Sequence, residues 1–224
     1  MTLPDCIDLA NYTAIPTAQQ VQCLRDHGIK RAIVGTSFGE VWDEQVAALE
    51  LGGIECQEYQ FPTRVRGTHR KVWLDCETPE ATVSAISAVA PRVHGIYTRR
   101  GWWQSETGDW DIVNAFPHLK LWEAHYGDPP PAFVPFGGWT QRSIIQYHDS
   151  TLFCGLNVDL NVIEEVEDDM AERVWCSDRL QTWIVGKGGA TLVVYPADDL
   201  AWKAIYGPHT KAMTGAELDK LAVK

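Results

Sequence analysis

Within Val72-Trp73-Leu74-Asp75-Cys76-Glu77, two acids stand two residues apart at the end of an apolar, β-rich run. A strand sends successive side chains to opposite faces, so Asp75 and Glu77 are expected to point the same way, with Cα atoms ~6.6 Å apart. Like charges held that close raise at least one pKa. A carboxyl kept protonated near neutral pH can donate a proton. Glycoside cleavage needs such a pairing: one carboxylic acid protonates the leaving oxygen while a second supports the developing cation. Taken alone, two solvated acids at a strand end are an equally good reading. Context favours the chemical one. Asp8 ends the first strand-like run in the same way, and Asp159 lies in the last. In a closed barrel the last strand adjoins the first, and active sites lie at the C-terminal face. An antiparallel last strand would invert the end of that strand facing the site. Four converging acids could also hold Ca²⁺ or Mg²⁺ for phosphodiester chemistry. With no histidine among them and no evident basic phosphate anchor, that reading ranks lower, and neither a metal nor a cofactor is expected.

The elements that must position these acids alternate in type. Strand-like runs are expected at residues 6–9, 31–36, 54–61, 71–75 and 94–97. Helices are expected at 17–27, capped by Thr17 and stopped by Gly28, at 41–51, and at 80–89. Such alternation argues for a parallel sheet covered by helices. Three further strands are expected at 119–126, 143–147 and 156–160. Pro129-Pro130-Pro131 and Gly137-Gly138 leave no room for a helix between the first two of these. The connection between the last two is shorter than the dozen or so residues a parallel crossover needs, so one late strand is expected to run antiparallel. The fold class is therefore α/β: a TIM-like barrel of irregular (β/α)5β3 type over residues 1–163. Residues 164–224 are read as an acidic, solvated connector followed by a small ββαα unit. That unit has a hairpin around Gly186-Lys187-Gly188-Gly189 and helices at 198–206 and 214–221.

Composition bounds the partners. The formal net charge is −11, which disfavours nucleic acid and anionic membranes. Long-range attraction would not bring such a chain to an anionic substrate, so short-range stacking and hydrogen bonding must do so. Ten Trp are unusually many. Most are expected in the core, and about three at a site, where a flat indole can cover a sugar ring. The start of the chain lacks a basic, then apolar, leader. The six Cys show no zinc spacing; buried free thiols are the expectation, with one disulfide left open. The seven His form no triad; His125 and His148 follow late strands but are better read as surface or core residues.

These pieces, in this order, resemble glycoside hydrolase family 25, the Chalaropsis-type lysozymes common among phage lysins. The resemblance rests on Ile7-Asp8-Leu9, Glu58-Tyr59-Gln60-Phe61, the Asp75-Cys76-Glu77 strand and Gly95-Ile96-Tyr97-Thr98. It continues through Leu121-Trp122-Glu123-Ala124-His125-Tyr126, Ile145-Gln146-Tyr147 and Val158-Asp159-Leu160-Asn161. It implies an N-acetylmuramidase that cleaves the β-1,4 bonds of bacterial peptidoglycan, of the phage endolysin kind and acting at the cell wall, an expectation that fits the reading of no leader over Met1–Leu9. No obligate protein partner is implied. Carried over by match, Glu77 is the expected general acid/base and Asp75 its partner, with Asp8 and Asp159 as flanking acids. Tyr59, Tyr97, Trp122 and Gln146 are the expected sugar-contacting residues. The chain departs from the family pattern at Ala10, usually Ser, in Gly35-Thr36-Ser37-Phe38-Gly39-Glu40, where Lys and Glu are common, and at Gln60, often His.

Overall fold

The computed structural model describes residues 2–10, 12–36, 41–164, 172–176, 181–186, 189–193 and 211–213. They fall in two compact units, 1–164 and 165–224.

The first unit is a closed eight-stranded barrel. Its strands are β1 Cys6–Leu9, β2 Arg31–Gly35, β3 Glu55–Gln60, β4 Val72–Asp75, β5 Gly95–Thr98, β6 Lys120–Ala124, β7 Ile144–Phe153 and β8 Leu156–Ile163. Strands β1 to β7 pair in parallel. Strand β8 runs antiparallel to both β7 and β1, as the short final connection requires. β7 is longer than its apolar segment and continues into a hairpin whose turn residues, Cys154 and Gly155, have φ of 51° and 75°. Two successive left-handed residues make a turn whose twist matches that of the flanking strands.

Helix α1, Ala18–Asp26, begins at a capping box in which Thr17 and Gln20 satisfy each other's backbone N–H groups. It buries Val21 and Leu24 against the sheet. Helix α2 spans Val41–Leu51, and α3 spans Val83–Val89 with Thr82 as its cap, starting later than expected. Helices α4, Arg100–Thr107, and α5, Ile112–Ala115, fill a stretch that the sequence left without elements. The third crossover carries no α-helix, only a 3-10 turn at Pro62–Arg64, so the barrel departs there from five full β/α units. Polar anchoring replaces the helix. The buried Glu58 carboxylate accepts from Thr68 Oγ1 at 2.7 Å and Gln60 Nε2 at 2.9 Å, and pairs with Arg70. Gln60 Oε1 in turn accepts from the Arg66 backbone N–H at 2.7 Å. These contacts tie residues 61–70 over the outer face of β3.

Alternation sorts the barrel interior into layers. Cys6, Ile33, Trp73, Trp122 and Ile144 pack inside, with Tyr59 and Tyr97 against them. A Cβ on Gly35 would come within 2.5 Å of the Tyr59 ring, and one on Gly95 within 2.4 Å of the Trp73 ring. Glycine at these two inward positions makes room for the aromatic floor. Outside the barrel, one apolar cluster joins β1–β3 to α1 and α2, and another joins β4–β6 to α3–α5. Cys6, Cys56 and Cys76 are buried free thiols, as expected, whereas Cys23 and Cys154 form a disulfide that ties α1 to the β7–β8 turn. Glu164, expected in a solvated connector, belongs to the barrel, where its carboxylate grips Arg142 Nε and Nη2 at 2.8 Å. No described helix is long and apolar enough to cross a membrane.

In the second unit, four strands lie in the order β11-β10-β9-β12: β9 Glu172–Cys176, β10 Gln181–Gly186, β11 Gly189–Val193 and β12 Lys211–Met213. β10 and β11 form the expected hairpin, while β9 and β12 were not foreseen. The helices expected at 198–206 and 214–221 lie outside the described residues.

Candidate active site

At the C-terminal ends of the parallel strands, a pocket of ≈ 140 Å³ is lined by Asp8, Tyr59, Asp75, Tyr97, Trp122, Gln146 and Asp159. These are seven of the eight site residues expected from the sequence. The eighth, Glu77, lies past the end of β4, not on the strand with Asp75. Its backbone N–H donates to Asp75 Oδ1 at 3.0 Å, so the chain folds back on the carboxylate it has just passed.

The antiparallel course of β8 sets Asp159 directly opposite Asp8 in the cross-strand register, and the two carboxyls are hydrogen-bonded to each other. Burial raises the pKa of each, and at Asp8 the Asp159 charge adds to the rise. Two carboxylates this close hold one proton between them. Amides fix the pair. Asn161 Nδ2 donates to Asp8 Oδ2 at 2.8 Å, and Gln146 Nε2 donates to Asp8 Oδ2 at 3.2 Å and to Asp159 Oδ2 at 2.9 Å. The Ser150 backbone N–H reaches Asp159 Oδ1 at 2.7 Å. Each amide is itself oriented: Gln146 Oε1 accepts from the Tyr97 and Tyr126 hydroxyls, and Asn161 Oδ1 from the Trp122 indole N–H at 2.8 Å. Amide donors aimed at the carboxylate oxygens occupy the lone pairs a cation would need, which argues against metal binding at this pair.

Asp75 is partly buried, and that burial pushes its carboxyl up to about 6 against the opposing Glu77 N–H. Burial also raises Glu77; the Arg99 guanidinium, with Nε 3.4 Å from Glu77 Oε1, opposes the rise, and Asp75 adds to it. Glu77 Oε1 is buried without a hydrogen bond among the described residues. The site therefore holds two acids raised by burial, Asp75 and Glu77, together with the hydrogen-bonded Asp8–Asp159 pair. Burial raises the Tyr59 and Tyr97 phenols and pushes Tyr126 up to about 12, and the Tyr97 and Tyr126 hydroxyls donate to Gln146.

Trp122 is buried and packs at 4.5 Å between ring centroids against Tyr97, forming the pocket floor instead of an exposed sugar platform. Tyr126, half exposed at the rim, and Asn161 were missed as site residues. Asn161 was findable, since it stands two residues from Asp159 on the same strand face; Arg99 and Ser150 lie outside any periodic pattern. Of the sequence departures, Ala10 lines a smaller pocket with Tyr12, Thr13 and Asn157 on the far side of Asp8 and Asp159. Gln60 faces Glu58 outside the barrel, so it does not touch the site. Residues 37–40 lie outside the described residues. His125 and His148 do not line the pocket. The side chains of Cys23, His27 and Cys154 converge, but both sulfurs are committed to the disulfide and offer no thiolate to a metal.

Acids clustered at the C-terminal mouth of a closed barrel are the arrangement that glycoside cleavage needs. No family model matches the chain. It is 35% identical over 190 residues to "Probable GH family 25 lysozyme 2" of Dictyostelium discoideum, covering 67% of this chain and 88% of that protein. Among solved structures, a muramidase from Trichobolus zukalii superposes with a TM-score of 0.56 at 17% identity, over 75% of this chain and 96% of that one. A family GH25 lysozyme from Aspergillus fumigatus gives 0.52 at 17% identity, over 71% and 94%. The chain belongs to the glycoside hydrolase family 25 lysozymes.

Proposed function

We propose that the barrel is an N-acetylmuramidase, cleaving the β-1,4 bond between N-acetylmuramic acid and N-acetylglucosamine in bacterial peptidoglycan. One observation carries the reading: Asp75 and Glu77, both raised by burial, stand at the end of β4 across the pocket mouth from the proton-sharing Asp8–Asp159 pair. In this reading Glu77 protonates the glycosidic oxygen and later takes a proton from water. Asp75, ionised above about pH 6, supports the developing positive charge or orients the substrate's N-acetyl group. The Asp8–Asp159 pair holds Gln146, which in turn sets the Tyr97 and Tyr126 hydroxyls at the pocket where sugar hydroxyls would bind. Tyr59 and Tyr97 offer ring faces, with Trp122 fixing the floor beneath them. Action at the cell wall as a phage-type lysin belongs to the same proposal and is supported by the sequence resemblance.

The test is digestion of purified peptidoglycan by wild type and by Glu77→Gln, with mass spectrometry of borohydride-reduced products. Fragments ending in reduced muramic acid from wild type, and a loss of roughly 10²–10⁴-fold in the variant, are the expected result. Proteins that bind the wall yet release nothing would replace the catalytic reading with that of a glycan-binding barrel.

A further inference from the structure

Arg99 is the residue after β5 and the N-cap of α4. Its side chain addresses Glu77, with Nε 3.4 Å from Oε1, and Arg99 opposes the rise that burial gives the Glu77 carboxyl. The side chain is 61% exposed, against 19% for Glu77. Three other arginines of the barrel are closed forks, whereas Arg25 sends a single Nη1 bond to the Gly52 carbonyl. Arg31 puts Nε and Nη2 on Glu55, Arg70 puts Nε and Nη2 on Glu50, and Arg142 puts Nε and Nη2 on Glu164, all at 2.8–3.2 Å. Arg99 makes one loose contact, and its two Nη groups have no hydrogen-bond partner among the described residues. A guanidinium edge of that kind is shaped for a carboxylate, which it binds through two parallel hydrogen bonds.

The surroundings make this cation conspicuous. Asp8, Asp75 and Asp159 line the pocket, and Asp149 acts on Tyr126 at its rim. A carboxylate on a bound glycan is repelled by these acids, and Arg99 offers it a counter-charge. N-Acetylmuramic acid carries such a group in its lactyl ether, either free or extended by a peptide that itself ends in carboxylates.

We propose that Arg99 is a specificity residue that recognises a carboxylate on the lactyl-peptide substituent of the bound glycan, exchanging Glu77 for it. The inference rests on the muramidase reading. It also gives the exchange a chemical consequence. The groups facing Glu77 are Asp75 and Cys76 on its own segment, Tyr97 on β5, Arg99, and Tyr126 beyond β6. Of these only Arg99 is cationic. When the substrate carboxylate draws it away, Glu77 is left beside Asp75 without its counter-ion and holds its proton more firmly. Recognition of the charged substituent would thus ready the acid that cleaves the bond.

The experiment compares wild type, Arg99→Met and Arg99→Lys on glycan strands with free lactyl-peptide carboxylates and on the same strands with those carboxyls converted to methylamides. Wild type should favour the charged strands. In Arg99→Met the ratio of kcat/KM for charged over neutral strands should fall roughly 5–10-fold, mainly through KM, with partial recovery in Arg99→Lys. In parallel, calorimetry measures the binding of muramyl dipeptide and its amidated form to the same three proteins. An unchanged ratio in Arg99→Met, or loss in equal proportion on both strands, overturns the proposal and leaves Arg99 as a mere counter-ion of Glu77. If wild type cleaves neither strand, the muramidase reading fails on its own. The calorimetric preference for the acid form, present in wild type and lost in Arg99→Met, would still support the anion site, and its absence in wild type would sink it.

Discussion

The proton shared by Asp8 and Asp159 links the site to the stability of the fold. Both carboxyls titrate higher in the folded chain than in the unfolded one, because burial disfavours their ionised forms and, at Asp8, the Asp159 charge adds to the rise. A group whose folded pKa is raised contributes stability that is fully present below its unfolded pKa and is lost as pH rises through the folded value. The pair therefore weakens the native state as pH climbs from about 4, the usual carboxyl range, towards neutrality. Asp8→Asn removes one charge while its amide can donate to Asp159 in place of the shared proton. At pH 7–8 the variant should melt roughly 2–4 °C above wild type, the shift that 1 kcal/mol produces in a domain of this size, with the gap closing near pH 4. Melting curves that differ equally at both pH values would reject the shared-proton account. Asp8, Asp75 and Asp159 were legible as site residues because strand alternation aims each at the barrel mouth. Arg99 and Ser150 were not, since their positions come from a helix start and a bulged hairpin, which no residue spacing encodes.

At the scale of elements, β7 and β3 mark where sequence periodicity stops describing the barrel. Residues 148–150 of β7 are exposed and polar, and register shifts between Gln146 and His148 and between His148 and Thr151 break its alternation. The segment consequently reads as a loop, although it is a strand. The same bulges place Ser150 at φ 45° with its N–H on Asp159. Strand β3 carried a readable signal: Glu58 and Gln60 stand on the face that a crossover helix would cover, and polar groups there call for a hydrogen-bonding loop. The Cys23–Cys154 disulfide, not derivable from scattered cysteines, anchors the hairpin tip to α1 across 131 residues. Closing so long a loop restricts the unfolded chain, typically for a gain of about 2–4 kcal/mol. The double variant Cys23→Ser/Cys154→Ser should melt below oxidised wild type, and reductant should lower wild type towards the variant while leaving the variant unmoved. Equal sensitivity of both proteins to reductant would assign the effect elsewhere. Peptidoglycan cleavage should fall along with stability, because the anchored hairpin supplies the Ser150 N–H to Asp159.

For the whole molecule, charge decides how the chain meets its proposed substrate. Eight apolar runs and the short final connection sufficed to expect a barrel with one late antiparallel strand. Beyond residue 164 the β10–β11 hairpin was legible, while β9 and β12, brief and without long periodic runs, were not. The net charge of −11, by contrast, is a property of the sequence as it stands. Bacterial walls are anionic as well, so approach is opposed at long range, and binding depends on contacts made within the pocket. Salt screens that opposition: the Debye length shortens from about 30 Å at 0.01 M to about 8 Å at 0.15 M. Contacts inside a half-enclosed site are screened far less. Raising salt over that interval should therefore speed the digestion of whole walls, by roughly two- to five-fold in kcat/KM if only encounter is affected. Turnover of short glycans with neutralised carboxyls should stay flat. Inhibition by salt on whole walls would mean that cationic contacts, not stacking and hydrogen bonding, dominate wall binding, and that an attractive surface outweighs the net charge.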